Sequence, residues 1–463
     1  MLLKCADFNA TEFFKTVPLL KNPKGNPGKS AEKIRHYMGI TCAFDIETTY
    51  LSNIGESVMY IWQMQLGEDM TIIGRYWEEF LDTLHRIEEA LPADRWLVFF
   101  IHNASFEISF IKGIYSFMPS EVFALASRKV LKFDMFGRFE FRCSYKLTNM
   151  SLDQFTSKMD VKHKKLSGIE FDYSKIRYPW TELTDRELKY CVNDVRGLVE
   201  AINALLARDG DTLATMPLTS TGYVRREAKK AMREGNRHHN YIYNMLPDYE
   251  LYCALRQAFR GGNTHCNRFF ASNEDSPCTV FNVHSADRSS SYPAVLCNCP
   301  YPTKFYKIHP SDLNDDYITR CTTVRKQALL LRVRLTNVEL KNPFCGCPYL
   351  TLDKCDNIQH EILETVEGKR GKPKNFYHVD NGRILKCASL ETTVTDVDMR
   401  IICHQYKFTE CVYLYGWYSN YEMLPKELTD LIIGYYRKKT ELKGVEGQQV
   451  YYDKAKALLN SLY

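Results

Sequence analysis

Between Gly39 and about Ala207, apolar runs of strand length alternate with amphipathic stretches of helix length. The runs are ITCAFDI (40–46), WLVFFI (96–101) and FEFRC (139–143), while WEEFLDTLHRIEEAL (77–91) carries the helical period. A chain patterned this way covers its strands with helices, so the expectation is an α/β domain over 40–207, preceded by a separate N-terminal segment, 1–39. The domain closes with Thr184-Asp185-Arg186-Glu187, a capping box, and then Leu188, Cys191, Val192, Val195, Val199 and Ile202 at helical spacing.

At 463 residues the chain has room for roughly three domains. A polar, basic stretch, RREAKKAMREGNRHHN (225–240), places a linker at 208–247. Beyond Pro302 come short β-like runs, ALLLRVRL, RILKCASL and CVYLYGWY, and the final part of the chain turns helical. With 45% hydrophobic and 25% charged residues, disordered, collagenous and coiled-coil classes are excluded. A net charge of +5 permits a polyanionic partner without requiring one. Sixteen cysteines fall well short of a secreted disulfide scaffold, and the Cys-x-Cys pairs 297/299 and 345/347 depart from zinc-knuckle spacing. No run approaches the roughly 18 apolar residues of a membrane span, and Lys4 and Asp7 interrupt any signal-peptide core. No membrane partner is therefore expected, and the expected location is the cytoplasm. KNPKGNPGKS (21–30) reads as a basic loop, since Pro23 stands where a phosphate loop needs glycine.

The chemistry-bearing residues are acids. Phe44-Asp45-Ile46-Glu47 reads as the end of a strand, where period two puts Asp45 and Glu47 on one face and Phe44 and Ile46 on the other. Glu107 follows the buried run 96–101, within His102-Asn103-Ala104-Ser105-Phe106-Glu107. On the capped helix, Tyr190 and Asp194 are four residues apart and share a face. Hard divalent cations take such oxygen ligands, and two metals about 4 Å apart can drive phosphodiester hydrolysis. An Asp-x-Glu pair by itself is usually a solvated strand edge; the ordered set carries the argument.

That set resembles the 3′-5′ exonuclease domain of family B DNA polymerases, whose three motifs occur in this order. Asp45 and Glu47 match the first, Asn103, Phe106 and Glu107 the second, Tyr190 and Asp194 the third; the second motif usually carries Asp where this chain has Glu107. The resemblance implies an RNase H-like domain over 40–207. In it, Asp45, Glu47, Glu107 and Asp194 hold Mg²⁺ (or Mn²⁺) in a two-metal site, Tyr190 orients water, and Asn103 and Phe106 hold the single-stranded primer end. Lys165 and Ser144 match that DNA-contacting role less cleanly.

Further along, Thr279–Ala286 reads as a strand that ends in Asp287-Arg288-Ser289-Ser290-Ser291-Tyr292 and resembles the first palm motif of the same family. The resemblance makes Asp287 a catalytic metal ligand and Tyr292 a nucleotide-binding residue beneath the sugar. Phe259-Arg260-Gly261-Gly262 resembles the Tyr-x-Gly-Gly motif, with Phe for Tyr, and implies contact with template DNA. Lys456, Asn460 and Tyr463, at i, i+4 and i+7, resemble the fingers motif that grips an incoming dNTP, and Arg437, Lys438, Lys439 and Lys443 add positive charge upstream. The stretch 303–420 between these motifs resembles the terminal-protein region of the protein-primed phage and plasmid subgroup. The implied organisation is a partial α+β palm at 248–302, an insertion at 303–420 and fingers helices at 421–463.

Thr395-Asp396-Val397-Asp398 looks like the second palm carboxylate motif but precedes the fingers motif and opens a helical stretch, so Asp396 reads as a helix cap or first-turn acid rather than a metal ligand. The expectation is thus an N-terminal portion of a protein-primed family B DNA polymerase with a proofreading exonuclease, acting in a bacterial host's cytoplasm if phage-encoded. Its expected partners are primer-template DNA, a terminal protein and a C-terminal polypeptide in trans. The rival readings are a free-standing 3′-5′ exonuclease with a DNA-binding remnant of a polymerase, or a non-catalytic binder of DNA or terminal protein.

Overall fold

The computed structural model describes the chain apart from residues 22–34, 167–171, 173–174, 236–240, 242–244, 268, 271–278, 368–372 and 463. Tyr463 and nearly all of the basic loop 21–30 therefore lie outside the described residues. The chain divides into two compact units, Met1–Glu227 with Lys438–Leu462, and Ala228–Arg437. The described helices include none long and apolar enough to cross a membrane.

In the first unit the strands are β1 (Leu2–Lys4), β2 (His36–Leu51), β3 (Glu56–Leu66), β4 (Met70–Gly74), β5 (Arg95–Ile101), β6 (Val122–Ala124), β7 (Val130–Met135) and β8 (Phe139–Cys143). They form one mixed sheet ordered β1-β4-β3-β2-β5-β8-β7-β6. β2 pairs antiparallel with β3 and parallel with β5, so it lies in the interior of the sheet, and β5 pairs parallel with β8. Its helices include α1 (Ala10–Thr16), α2 (Trp77–Ala90), α3 (Glu107–Ile111), α4 (Ser144–Thr148), α5 (Leu152–Lys158) and α6 (Asp185–Asp209).

Each face of the sheet builds its own core. Phe44 and Ile46 point into one, with Trp62, Phe80, Leu84, Phe99 and Phe141. Ala43, Val98 and Phe100 point into the other, beneath Val195, Leu198 and Ile202 of α6. Because side chains alternate along a strand, the face that carries Ala43 also carries Asp45 and Glu47, and that is the face α6 covers. α6 forms where its sequence directs it: Thr184 caps it in a reciprocal bond with Glu187, and Gly210 ends it at φ 65°. One expectation is corrected here. Asp45 and Glu47 do not end their strand; β2 runs on to Leu51, with a register shift after Glu47, because Thr49 and Leu51 still find buried positions.

In the second unit an antiparallel sheet runs in the order Cys355–Gln359, Lys386–Thr395, Ala328–Leu340, Glu410–Glu422, Tyr301–Lys307. Its core gathers Leu329, Leu331, Val333, Leu335, Leu390, Val394 and Ile402. The β-like runs after Pro302 thus become strands of this sheet, inside the stretch 303–420; the last part of the chain forms the helix Lys426–Glu441, most of it in this unit, and the helix Gln449–Asn460, which belongs to the first unit. A second correction concerns Thr279–Ala286. These residues are exposed and form no strand, since they offer no buried face to pair against a sheet.

Phe141 is fully buried and stacks on Phe99 at 5.0 Å and on Phe133 at 4.8 Å. Phe141→Ala is expected to destabilise this unit by about 3–5 kcal/mol, read as a lower denaturation midpoint at unchanged slope.

Candidate active site

The first site is assembled across the α6-covered face. Asp45 and Glu47 of β2 meet Asp194 of α6, with carboxylate oxygens of the three all within 4.8 Å of one another. Asp194 is only 5% exposed, and its Oδ1 is buried with no hydrogen-bond partner. Gln63 of β3 donates from Nε2 to Asp45 Oδ2 at 2.9 Å. Lys165 closes the group, with Nζ 2.5 Å from Asp194 Oδ2 and 5.6 Å from the centre of the Tyr190 ring. Glu107 stands at the first position of α3, 2% exposed, with Oε2 also unpartnered. It falls outside the mutually close trio but lies against Asp45, whose charge acts on it.

Electrostatics follow from this crowding. Burial and the charge of Asp194 push Asp45 up to about 7, against the pull of Lys165. Glu47 is raised well above the ordinary range by burial and then by Asp45 and Asp194. Burial, followed by Asp45, does the same to Glu107. Burial also raises Asp194, with Lys165 opposing. Burial alone would lower the Lys165 ammonium, but Asp194, Asp45 and Glu47 outweigh it and the net shift is upward. His102, nearby in the chain, is held down to about 4 by burial and by Lys165. Repelling carboxylates with orphaned inward oxygens are the donor set a hard divalent cation satisfies, so the residues present fit Mg²⁺ or Mn²⁺.

The other sequence-read residues are placed as follows. Tyr190 is buried, one turn before Asp194, in a small core with Tyr60, Ile61 and Cys191. Asn103 (φ 77°) and the exposed Phe106 line a cleft of about 880 Å³ with Ser105, Ser109, Lys112 and Arg128. Ser144, weighed as a DNA contact, is instead fully buried; its hydroxyl donates to the Ile101 carbonyl at 3.1 Å and pairs with His102 Nδ1 at 3.0 Å. Lys456 and Asn460 share an exposed face of Gln449–Asn460, while Ala455 and Leu459 face inward.

In the second unit, Asp287 is exposed, and Ser290 (φ 49°) leads into the helix Ser291–Asn298, where Tyr292 sits. Ser289, Ser290 and Pro293 line a cleft of about 250 Å³ with Ile432, Ile433 and Tyr436 of the helix Lys426–Glu441. The Tyr292 hydroxyl lies 3.6 Å from where a Cβ on Gly262 would stand, and Gly261 is open on that side. Phe259 is exposed. Arg260 turns inward: it donates to the Ala258 and Thr393 carbonyls and to Thr392 Oγ1, and lies 3.7 Å from Asp398. Asp396 lies in the first turn of the helix Asp396–Gln405, the second of its two expected places, and accepts from the Leu329 N–H at 3.2 Å; the cap itself is Thr395, in a box with Asp398.

Sequence reasoning missed Gln63, whose polar head lies in an otherwise apolar strand (ESVMYIWQMQL) and was the available signal. It also missed Ile432, Ile433 and Tyr436, which carry no motif.

No family model matches the chain, and no curated protein matches it in sequence. In three dimensions its fold is that of a DNA polymerase. The solved structures it resembles include Phi29 DNA polymerase complexed with single-stranded DNA, at TM-score 0.59 and 16% identity over 91% of this chain. Its orthorhombic crystal form gives 0.56 and 18% over 92%, and its ternary complex with primer-template DNA and incoming nucleotides gives 0.54 and 17% over 92%. This chain spans 66% of the length of the first of these and 67% of the others. At such identities the likeness is one of fold.

Because Asp45 is raised from about 4 to about 7, the metal-free fold disfavours its ionised form; that penalty is absent below pH about 4 and grows as pH rises through 7. Asp45→Asn in chelator at pH 8 is therefore expected to be more stable than the parent by on the order of 1–3 kcal/mol, a gap that closes near pH 4. Denaturation curves at both pH values check this; a less stable variant at pH 8 contradicts the repulsion.

Proposed function

We propose that this chain is a DNA-directed DNA polymerase of the protein-primed family B type, and that the Asp45, Glu47 and Asp194 centre removes nucleotides from 3′ ends of single-stranded DNA. The observation that carries the reading is the convergence of these three carboxylates, far apart in sequence, to within 4.8 Å. The polymerase fold supports it.

In this reading Asp45, Glu47 and Asp194 hold Mg²⁺ (or Mn²⁺), with Glu107 beside Asp45. The bound metals supply charge neutralisation at the scissile phosphate and activation of water. Tyr190 orients the attacking water, and Lys165 offsets negative charge at the Asp194 edge. Phe106, exposed on the wall of that cleft, stacks the terminal base, and Asn103 hydrogen-bonds the strand.

Nucleotide addition belongs to the same proposal. In the second unit Asp287 holds metal, Tyr292 meets the dNTP and Phe259, Gly261 and Gly262 approach the template, with Arg260 bracing them from inside; in the first unit Lys456 and Asn460 offer contacts to the nucleotide. Two-metal transfer needs a second acid, and among the described residues Asp287 belongs to no group of three or more metal-ligating side chains. A further acid outside that set then completes the site, and a terminal protein supplies the primer.

End-labelled single-stranded DNA with Mg²⁺ is expected to shorten stepwise from its 3′ end, and Asp45→Ala to lower the rate about 100-fold or more. An undigested strand at every Mg²⁺ and Mn²⁺ concentration would leave a DNA-binding protein without this activity. Phe106→Ala is expected to raise KM for single strands roughly 5- to 100-fold, the range of one lost stacking contact, with kcat little changed. Steady-state kinetics on the same substrate separate the two effects.

A further inference from the structure

The loop that carries Lys165 is held against α6 in an unusual way. The His163 backbone N–H donates to Glu200 Oε2 at 3.0 Å, and His163 Nδ1 pairs with Glu200 Oε1 at 2.5 Å. Asn193 Nδ2 donates to the Lys164 carbonyl at 3.4 Å. Between these anchors the His163 carbonyl oxygen approaches the helix backbone so closely that a Cβ on Gly197 would lie 2.1 Å from it. Asn193, Gly197 and Glu200 stand at i, i+4 and i+7, so they form one strip of the helix surface. Asp194 is the next residue after Asn193.

We infer that Gly197, Glu200 and His163 are positioning residues that seat the 163–165 loop and so set Lys165 on Asp194; this rests on the exonuclease reading of that centre. Glycine is costly inside a helix, and Gly197 has no left-handed φ to explain it. The close approach of the His163 carbonyl explains it. A lysine side chain is long and flexible, and it delivers its charge to one oxygen only if its backbone is fixed. With residues 163 and 164 both tied to α6, the Lys165 side chain starts beside the helix and its Nζ meets Asp194 Oδ2 at 2.5 Å. The Glu200 pair is no free-standing surface contact: it is partly buried, and backbone as well as side chain of His163 bond to one carboxylate.

The test reads Lys165 directly and activity separately. Lysines of the full chain are ¹³C-dimethylated, and the Lys165 resonance is assigned by its loss in Lys165→Arg. In Glu200→Ala and Gly197→Ala this resonance is expected to move to the position of solvent-exposed lysines. The exonuclease kcat on single-stranded DNA is expected to fall about 10- to 100-fold while KM changes less than about threefold. Glu200→Gln, which keeps one acceptor, should lie between. An unmoved resonance, or an unchanged kcat in the folded Glu200→Ala protein, overturns the inference. If the resonance moves but the parent itself digests no DNA, the seat stands and the exonuclease reading falls. Should Gly197→Ala not fold, the two Glu200 variants decide the matter alone.

Discussion

Three crowded carboxylates that repel one another, one buried and two partly so, are the constraint around which the first unit is organised. Asp45, Glu47 and Asp194 come within 4.8 Å; burial raises all three, and the neighbouring carboxylates add to the rise of Asp45 and Glu47. A chain does not gather such groups for stability, because each ionised acid added to a dry pocket costs free energy. Something must hold them against that cost. Apolar surface does most of it: the aromatic core on one face of the sheet and the α6 interface on the other fix β2 and α6 regardless of what lies between them. Lys165 then removes part of the repulsion at the Asp194 edge.

The same arrangement leaves a donor set that a divalent cation would satisfy. Lys165 satisfies one oxygen of Asp194, yet Asp194 Oδ1 and Glu107 Oε2 stay without a hydrogen bond. Orphaned buried acceptors are rare in folded proteins and signal a missing partner at a functional site. By contrast, another buried charge group of this unit is fully paired: Glu140 receives Arg35, Lys132 and Arg142 and is held down to about 2, where burial alone would raise it. Both groups are acidic and crowded; the supply of cations separates the fully paired network from the trio that keeps an orphaned oxygen.

In the second unit, apparent motif residues divide between architecture and exposure. Arg260 is spent on the strand Lys386–Thr395 and on Asp398, and the Thr395–Asp398 box caps a helix. Asp287 and Phe259 face solvent, beside glycines that leave the backbone open. An open face of this kind fits a partner much larger than a metal ion.

Local pattern alone determined several features. Strand alternation around Asp45 and Glu47, the capped α6 with Tyr190 and Asp194 on one turn, and the helix start at Asp396 are all short-range properties, set by side-chain period and by hydrogen bonds within a few residues. The strand expected at Thr279–Ala286 failed because apolar content without a facing sheet cannot pair. Tertiary structure decided what distance along the chain conceals. It extended β2 past Glu47, brought Gln63 to Asp45, buried Ser144, turned Arg260 inward and set Lys165 on Asp194. Those outcomes depend on which surfaces pack together, and packing is a property of the whole fold that no local window of residues contains.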